Sequence, residues 1–166
     1  MGGRRVDQTG LAALAGALAD SLVVDRYWSK IVAVPGSDCL WWTGAISGRG
    51  HGRFWYGTGR VIIAHRFGYA LAHGVSVLDE VRVLGHRCDN PLCQRVGPGH
   101  LVASSATLNR REWALRRLLA GSPWTDPRGP GRRAQVLRNL ARRNPAEVTA
   151  DLDRVRRQTG EQLPLW

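Results

Sequence analysis

Between positions 84 and 109 the chain reads LGHRCDNPLCQRVGPGHLVASSATLN, and five of its side chains can do chemistry: His86, Cys88, Cys93, His100 and Asn109. Four residues separate Cys88 from Cys93, a reach that lets two thiolates bind one tetrahedral metal. His100 follows on the same stretch, and a third cysteine, Cys39, lies far upstream. Thiolates and a histidine make a closed tetrahedral site, and closed sites are structural. Cys39, Cys88, Cys93 and His100 are therefore expected to hold a structural zinc. That set uses all three cysteines, whereas a disulfide scaffold favours an even number. It points to a reducing, cytoplasmic setting.

His86 stands two residues before Cys88, on the rim of the expected metal loop. Its imidazole titrates near neutral pH and suits the deprotonation of a water. The amide oxygen of Asn109 is a donor that a hard cation such as Mg²⁺ accepts. Spacing alone leaves Asn109 open as either an ion ligand or a helix-surface residue.

The elements that must position these groups follow from the pattern. Strands are expected at 39–45, 53–56, 60–63, 81–84 and 100–103, with Gly57-Thr58-Gly59 as a tight hairpin turn. Helices are expected at 11–22, 64–73, from Ser104 or Ser105 to about 119 with Gly121 as its stop, and at 132–143 and 146–158. A helical turn is expected at 25–31, with Tyr27 and Trp28 in the core. The first ten residues read as disordered. Leu11, Leu14, Leu18 and Leu22 share one helical face, which favours an amphipathic helix over a secretory signal despite Arg4 and Arg5. The expected organisation is an N-terminal segment (1–25), a central domain (26–121), a Pro- and Gly-rich linker (122–131) and a basic helical extension (132–166). The fold class is α+β.

The pattern H-x-C-x4-C, then His-Leu, then Asn resembles the HNH endonucleases of the His-Me finger superfamily. It is most similar to the zinc-bearing phage HNH and His-Cys box homing endonuclease branch. RYWSKI (26–31), CLWWTG (39–44), GHGRF (50–54) and AHRFGYAL (64–71) resemble that family's leader, and the likeness spans 26–117. It implies a zinc-stapled ββα-metal core, carrying a β-hairpin extension and helical additions at both ends. It also implies a metal-dependent DNA endonuclease of phage or mobile-element type, with His86 as general base and Asn109 as ligand of a catalytic Mg²⁺ or similar divalent ion. Arg53 resembles the arginine that contacts the scissile phosphate. The sequence departs from the family at Gly85, where many members carry Asp, and in the longer spacing 94–99.

The net charge is +11, and Lys30 is the one lysine among 24 basic residues. Arginine grips phosphate bidentately, so this balance suits double-stranded DNA. A two-stranded ribbon fits the major groove, which makes Arg49 and Arg60 candidate DNA contacts beside Arg66, Arg110, Arg111, Arg132 and Arg133. His65 reads as a buttress or core residue without a catalytic role, and His51 and His73 as ordinary histidines. No segment is long and apolar enough to span a membrane. A homodimer would offer two sites to opposite strands, although no dimer motif is evident, and the terminal helices are candidate docking elements for a protein partner. The rival readings are a zinc-stabilised DNA-binding module without catalysis and a partner-regulated nuclease.

Overall fold

The computed structural model describes residues 8–160, apart from 118, 120, 121, 123 and 124. The chain is mixed α+β: seven helices surround three small antiparallel sheets of two strands each, among the described residues. Positions 1–7 and Gly121, expected as a disordered start and a helix stop, lie outside the described residues.

The N-terminal helix differs from the expectation. Helix α1 spans Gln8–Ala19 and α2 spans Ser21–Trp28. Asp20 separates them, because its carboxylate accepts a hydrogen bond from the Leu22 N–H at 2.9 Å and so starts a second helix. The expected apolar stripe is broken there. Leu14 is fully buried, whereas Leu22 is 77 % exposed. Tyr27 does enter the core, where its ring meets Trp42, Phe54 and Phe67 at centroid distances of 5.0–5.7 Å. Trp28 stays partly exposed.

Strand β1 (Ile31–Val34), which the sequence pattern did not suggest, pairs with β2 (Ser37–Trp42). The hairpin of β3 (Arg53–Gly57) and β4 (Arg60–Ile63) forms where the glycine turn predicts it. Helix α3 (Ala64–His73) buries Ala64, His65, Phe67 and Tyr69, and a short α4 (Val77–Glu80) follows it. Strand β5 (Val83–His86) runs beyond the expected 81–84, so His86 is its last residue. It pairs with β6 (Leu101–Ser104), His86 opposite Leu101. Ser105 then caps α5 (Ala106–Arg116) by accepting from the Leu108 N–H at 3.1 Å.

The C-terminal helices α6 (Gly129–Arg143) and α7 (Ala146–Gly160) share the main core through Leu137, Ala141 and Val148. The stretch before them carries an ion network. Arg128 donates to both carboxylates of Asp126 and Asp151, and Arg133 lies 3.6 Å from Asp126. Asp126 is 4 % exposed, so the expected linker is anchored to the body. Arg133, expected on the nucleic-acid surface, is buried in this network; burial of a cation requires such a partner.

Candidate active site and metal centre

Three segments deliver the sulfur and nitrogen donors expected from the sequence. Cys39 comes from β2, Cys88 and Cys93 from the loop after β5, and His100 from the residue before β6. One ligand atom from each lies within 4.8 Å of all the others. The Nδ1 of His100 is 3.5 Å from the Cys93 Sγ and 3.8 Å from the Cys39 Sγ. Tetrahedral zinc with ordinary bond lengths separates sulfur from nitrogen by about 3.5 Å. The longer spacing before His100 is therefore accommodated. The loop holding it is stitched by the 3.0 Å hydrogen bond from the Leu101 N–H to the Arg95 carbonyl and the 2.9 Å bond from the His100 N–H to the Gly97 carbonyl.

Strand β2 fixes the cysteine loop. The Trp42 N–H donates to the Leu92 carbonyl and the Gln94 N–H to the Leu40 carbonyl, at 2.9 and 2.8 Å. Buried Gln94 in turn accepts from the Tyr27 hydroxyl at 3.0 Å. The three thiols titrate against one another. Hydrogen bonds from Cys88 and Cys93 hold the Cys39 thiol low, to about 2, while the same contact with Cys39 raises Cys88 and Cys93. Three thiolates this close need a cation before all can ionise, and the donor set fits a metal such as zinc.

Beside this cluster is a cavity of about 380 Å³. His86 and Asn109 both line it, together with Arg49, His51, Asp89, Trp113, Arg116 and Arg133. Asn109 sits one turn into α5, with its backbone N–H on the Ser105 carbonyl at 2.9 Å. A side chain at Gly85 would meet it. A Cβ there lies 3.6 Å from the Asn109 Oδ1 and 3.5 Å from the Ser104 Cβ, which is ordinary contact. As it stands, Asn109 offers one neutral oxygen, enough for a hydrated ion shared with a phosphate.

Two further histidines stand next to His86, and sequence reasoning gave neither a catalytic role. The His86 Nε2 lies 3.1 Å from the Nδ1 of His65, the second residue of α3. The His51 ring stacks on that of His86 at 5.9 Å. Burial, then the neighbouring His51, lowers His86 to about 3. Burial likewise lowers His65 and His51. The Nδ1 of His86 is buried and has no hydrogen-bond partner. The available signal was GHG at 50–52. Gly50 takes φ +89°, and a Cβ there would lie 2.6 Å from the Ala134 Cβ of α6. A Cβ on Gly52 would lie 2.7 Å from the Trp42 ring. The two glycines let His51 be inserted between α6 and the core.

The remaining candidates fall elsewhere. Arg53 packs over the Trp55 ring at 5.4 Å and lines a separate hollow with Arg26 and Lys30, outside the His86 cavity. Arg66 spends its guanidinium on the backbone carbonyls of Leu78, Val81 and Arg82, so it braces α3. Arg60, Arg110, Arg111 and Arg132 are exposed. Arg116, in the cavity, pairs with Asp89 at 3.2 Å and with Glu112 at 3.4 Å.

One stretch of the chain is similar to a phage protein. Over 59 residues it is 36 % identical to Protein 7.7 of Escherichia phage T7. The match takes in 36 % of this chain and spans 43 % of the phage protein, less than half its length. No family model matches the chain, and no solved structure matches it.

Proposed function

We propose that the chain is a metal-dependent DNA endonuclease of phage or mobile-element type. Its ββα-metal core would be β5, β6 and α5, stapled by zinc on Cys39, Cys88, Cys93 and His100. The observation that carries this reading is the convergence of His86 and Asn109 on one cavity beside the Cys₃His cluster, in the order and spacing by which the sequence resembles HNH nucleases.

His86 acts as the general base. When its Nε2–H donates to the Nδ1 of His65, the unpartnered Nδ1 keeps its lone pair and takes a proton from water. The hydroxide attacks the phosphorus in line with the 3′ oxygen, which leaves and is protonated by solvent. The products carry 5′ phosphate and 3′ hydroxyl. His65 is a positioning residue, because it selects the tautomer that can accept. Asn109 would hold a Mg²⁺-like ion with the substrate's phosphate oxygens; when bound, that ion stabilises the leaving oxygen. Arg49 lines the cavity, so it takes the phosphate-neutralising role in place of Arg53.

Supercoiled plasmid incubated with the protein and Mg²⁺ should relax to open-circle or linear DNA. EDTA should stop the reaction, and the new ends should be ligatable. Gly85 leaves the ion a single protein ligand, which favours one rival, a DNA-binding module without catalysis. Retardation of DNA in a gel with no strand breakage under any divalent ion would establish that rival instead.

A further inference from the structure

Three imidazoles from separate elements face one another: His51 from the loop before β3, His65 from α3 and His86 from β5. One ring nitrogen from each lies within 4.8 Å of the other two, and no carboxylate belongs to the group. Tetrahedral zinc held by imidazoles separates the nitrogens by about 3.3 Å. The His86–His65 pair is already at 3.1 Å. The donor chemistry excludes Mg²⁺ and Ca²⁺, which prefer oxygen, and suits Zn²⁺, Ni²⁺ or Co²⁺. The Nδ1 of His51 is buried with no hydrogen-bond partner, and His86, which meets His65 through its Nε2, keeps its Nδ1 unpartnered to carry the proton when an ion takes the Nε2. His51 and His86 also line the 380 Å³ cavity, which gives an ion an entry path and room for a water as fourth ligand.

We propose that His51, His65 and His86 form a second metal site, specific for borderline transition ions and separate from the Cys₃His cluster. An ion there takes one His86 lone pair and leaves the other ring nitrogen as N–H. His86 then has nothing with which to accept a proton from water. The site is therefore an inhibitory one. Binding stands on the geometry alone, whereas inhibition rests on the nuclease reading above.

The test is equilibrium dialysis of the full chain against micromolar Zn²⁺, with bound metal counted per chain. Wild type should hold two zinc ions, one of which survives dialysis against a weak chelator. His51→Ala and His65→Ala should each hold one tightly bound ion and bind the second at least about tenfold more weakly. The retained first zinc and an unchanged circular dichroism spectrum certify that each variant is folded. His51 is on a loop and only half-buried, so His51→Ala keeps the test decisive if His65→Ala fails to fold. One zinc per wild-type chain, or a second zinc indifferent to the folded variants, overturns the site. If two ions bind as stated and the protein cuts no DNA under Mg²⁺, the site stands and the nuclease reading fails. In a protein that cuts, excess Zn²⁺ should inhibit wild type and inhibit His51→Ala at least about tenfold less effectively.

Discussion

At the scale of single residues, Gly85 is the most informative position. A side chain there fits without a clash, with its Cβ 3.6 Å from the Asn109 Oδ1. Gly85→Asp should therefore place a carboxylate beside the amide and add a hard oxygen donor for the proposed ion. The Mg²⁺ concentration giving half-maximal cleavage should fall several-fold, by roughly the tenfold per 1.4 kcal/mol that one added charged ligand can supply. An unchanged or raised Mg²⁺ requirement would mean that Asn109 does not hold the ion. His65 allows a second residue-scale test. Replacing it with Leu removes the acceptor for the His86 Nε2–H, and kcat should fall while KM stays put, since no substrate contact is lost. A matched rise in KM would assign His65 to substrate binding.

At the scale of elements, two devices hold the site's walls. The first is the cysteine loop on β2. Stripping the metal with a strong chelator should lower the thermal midpoint and detach the cysteine loop from β2, read as loss of near-UV signal from Trp41 and Trp42. The second is the network on Asp126, which sets α6 over the His51 loop. Burial tends to raise the Asp126 carboxyl, but hydrogen bonds from Arg128 outweigh it and leave it lowered. A carboxyl lowered by folding contributes stability above its unfolded pKa, and that stability is lost as pH falls through its folded pKa. Asp126→Asn should cost about 3 kcal/mol at pH 7, the scale of breaking a buried pair. The gap between wild type and variant should close as pH drops below about 4. A gap that persists in acid would show that the amide disturbs packing rather than charge.

This scale also explains what the sequence made legible. The Cys88–Cys93 spacing announced two ligands of the Cys₃His cluster, whereas Cys39, far upstream, joined them as the remaining cysteine and through the CLWWTG resemblance. The β3–β4 hairpin was legible through its glycine turn. Strand β1 was not, since IVAV carries no alternation and its pairing is settled by Trp41 and Trp42 opposite it. The three-histidine group was illegible for a deeper reason. His51, His65 and His86 are far apart in sequence, and only the packing of α3 and α6 on the sheets brings them together. The surroundings of Arg53, which packs on Trp55 outside the His86 cavity, and of Arg133, which is buried against Asp126, were illegible on the same ground. Charge is visible in sequence, whereas the partner that claims it is tertiary.

For the whole molecule, the excess of positive charge is tied to duplex DNA by the proposed nuclease reading. With a net charge of +11 and exposed Arg60, Arg110, Arg111 and Arg132, affinity for duplex DNA should fall steeply with salt. Arg110→Ala and Arg111→Ala should each reduce the slope of log K against log salt by about 1, without altering preference among sequences. A slope unmoved by both would place the DNA on another face. No helix among the described residues is long and apolar enough to cross a membrane.

The most direct measurement is plasmid cleavage by His86→Ala beside wild type, at saturating Mg²⁺, with equal zinc content and equal DNA affinity verified for both. The account predicts that the variant binds as tightly and cuts about 10²–10⁴-fold more slowly, the contribution of a positioned general base. Cleavage at the wild-type rate by His86→Ala would contradict it and move the chemistry away from this cavity.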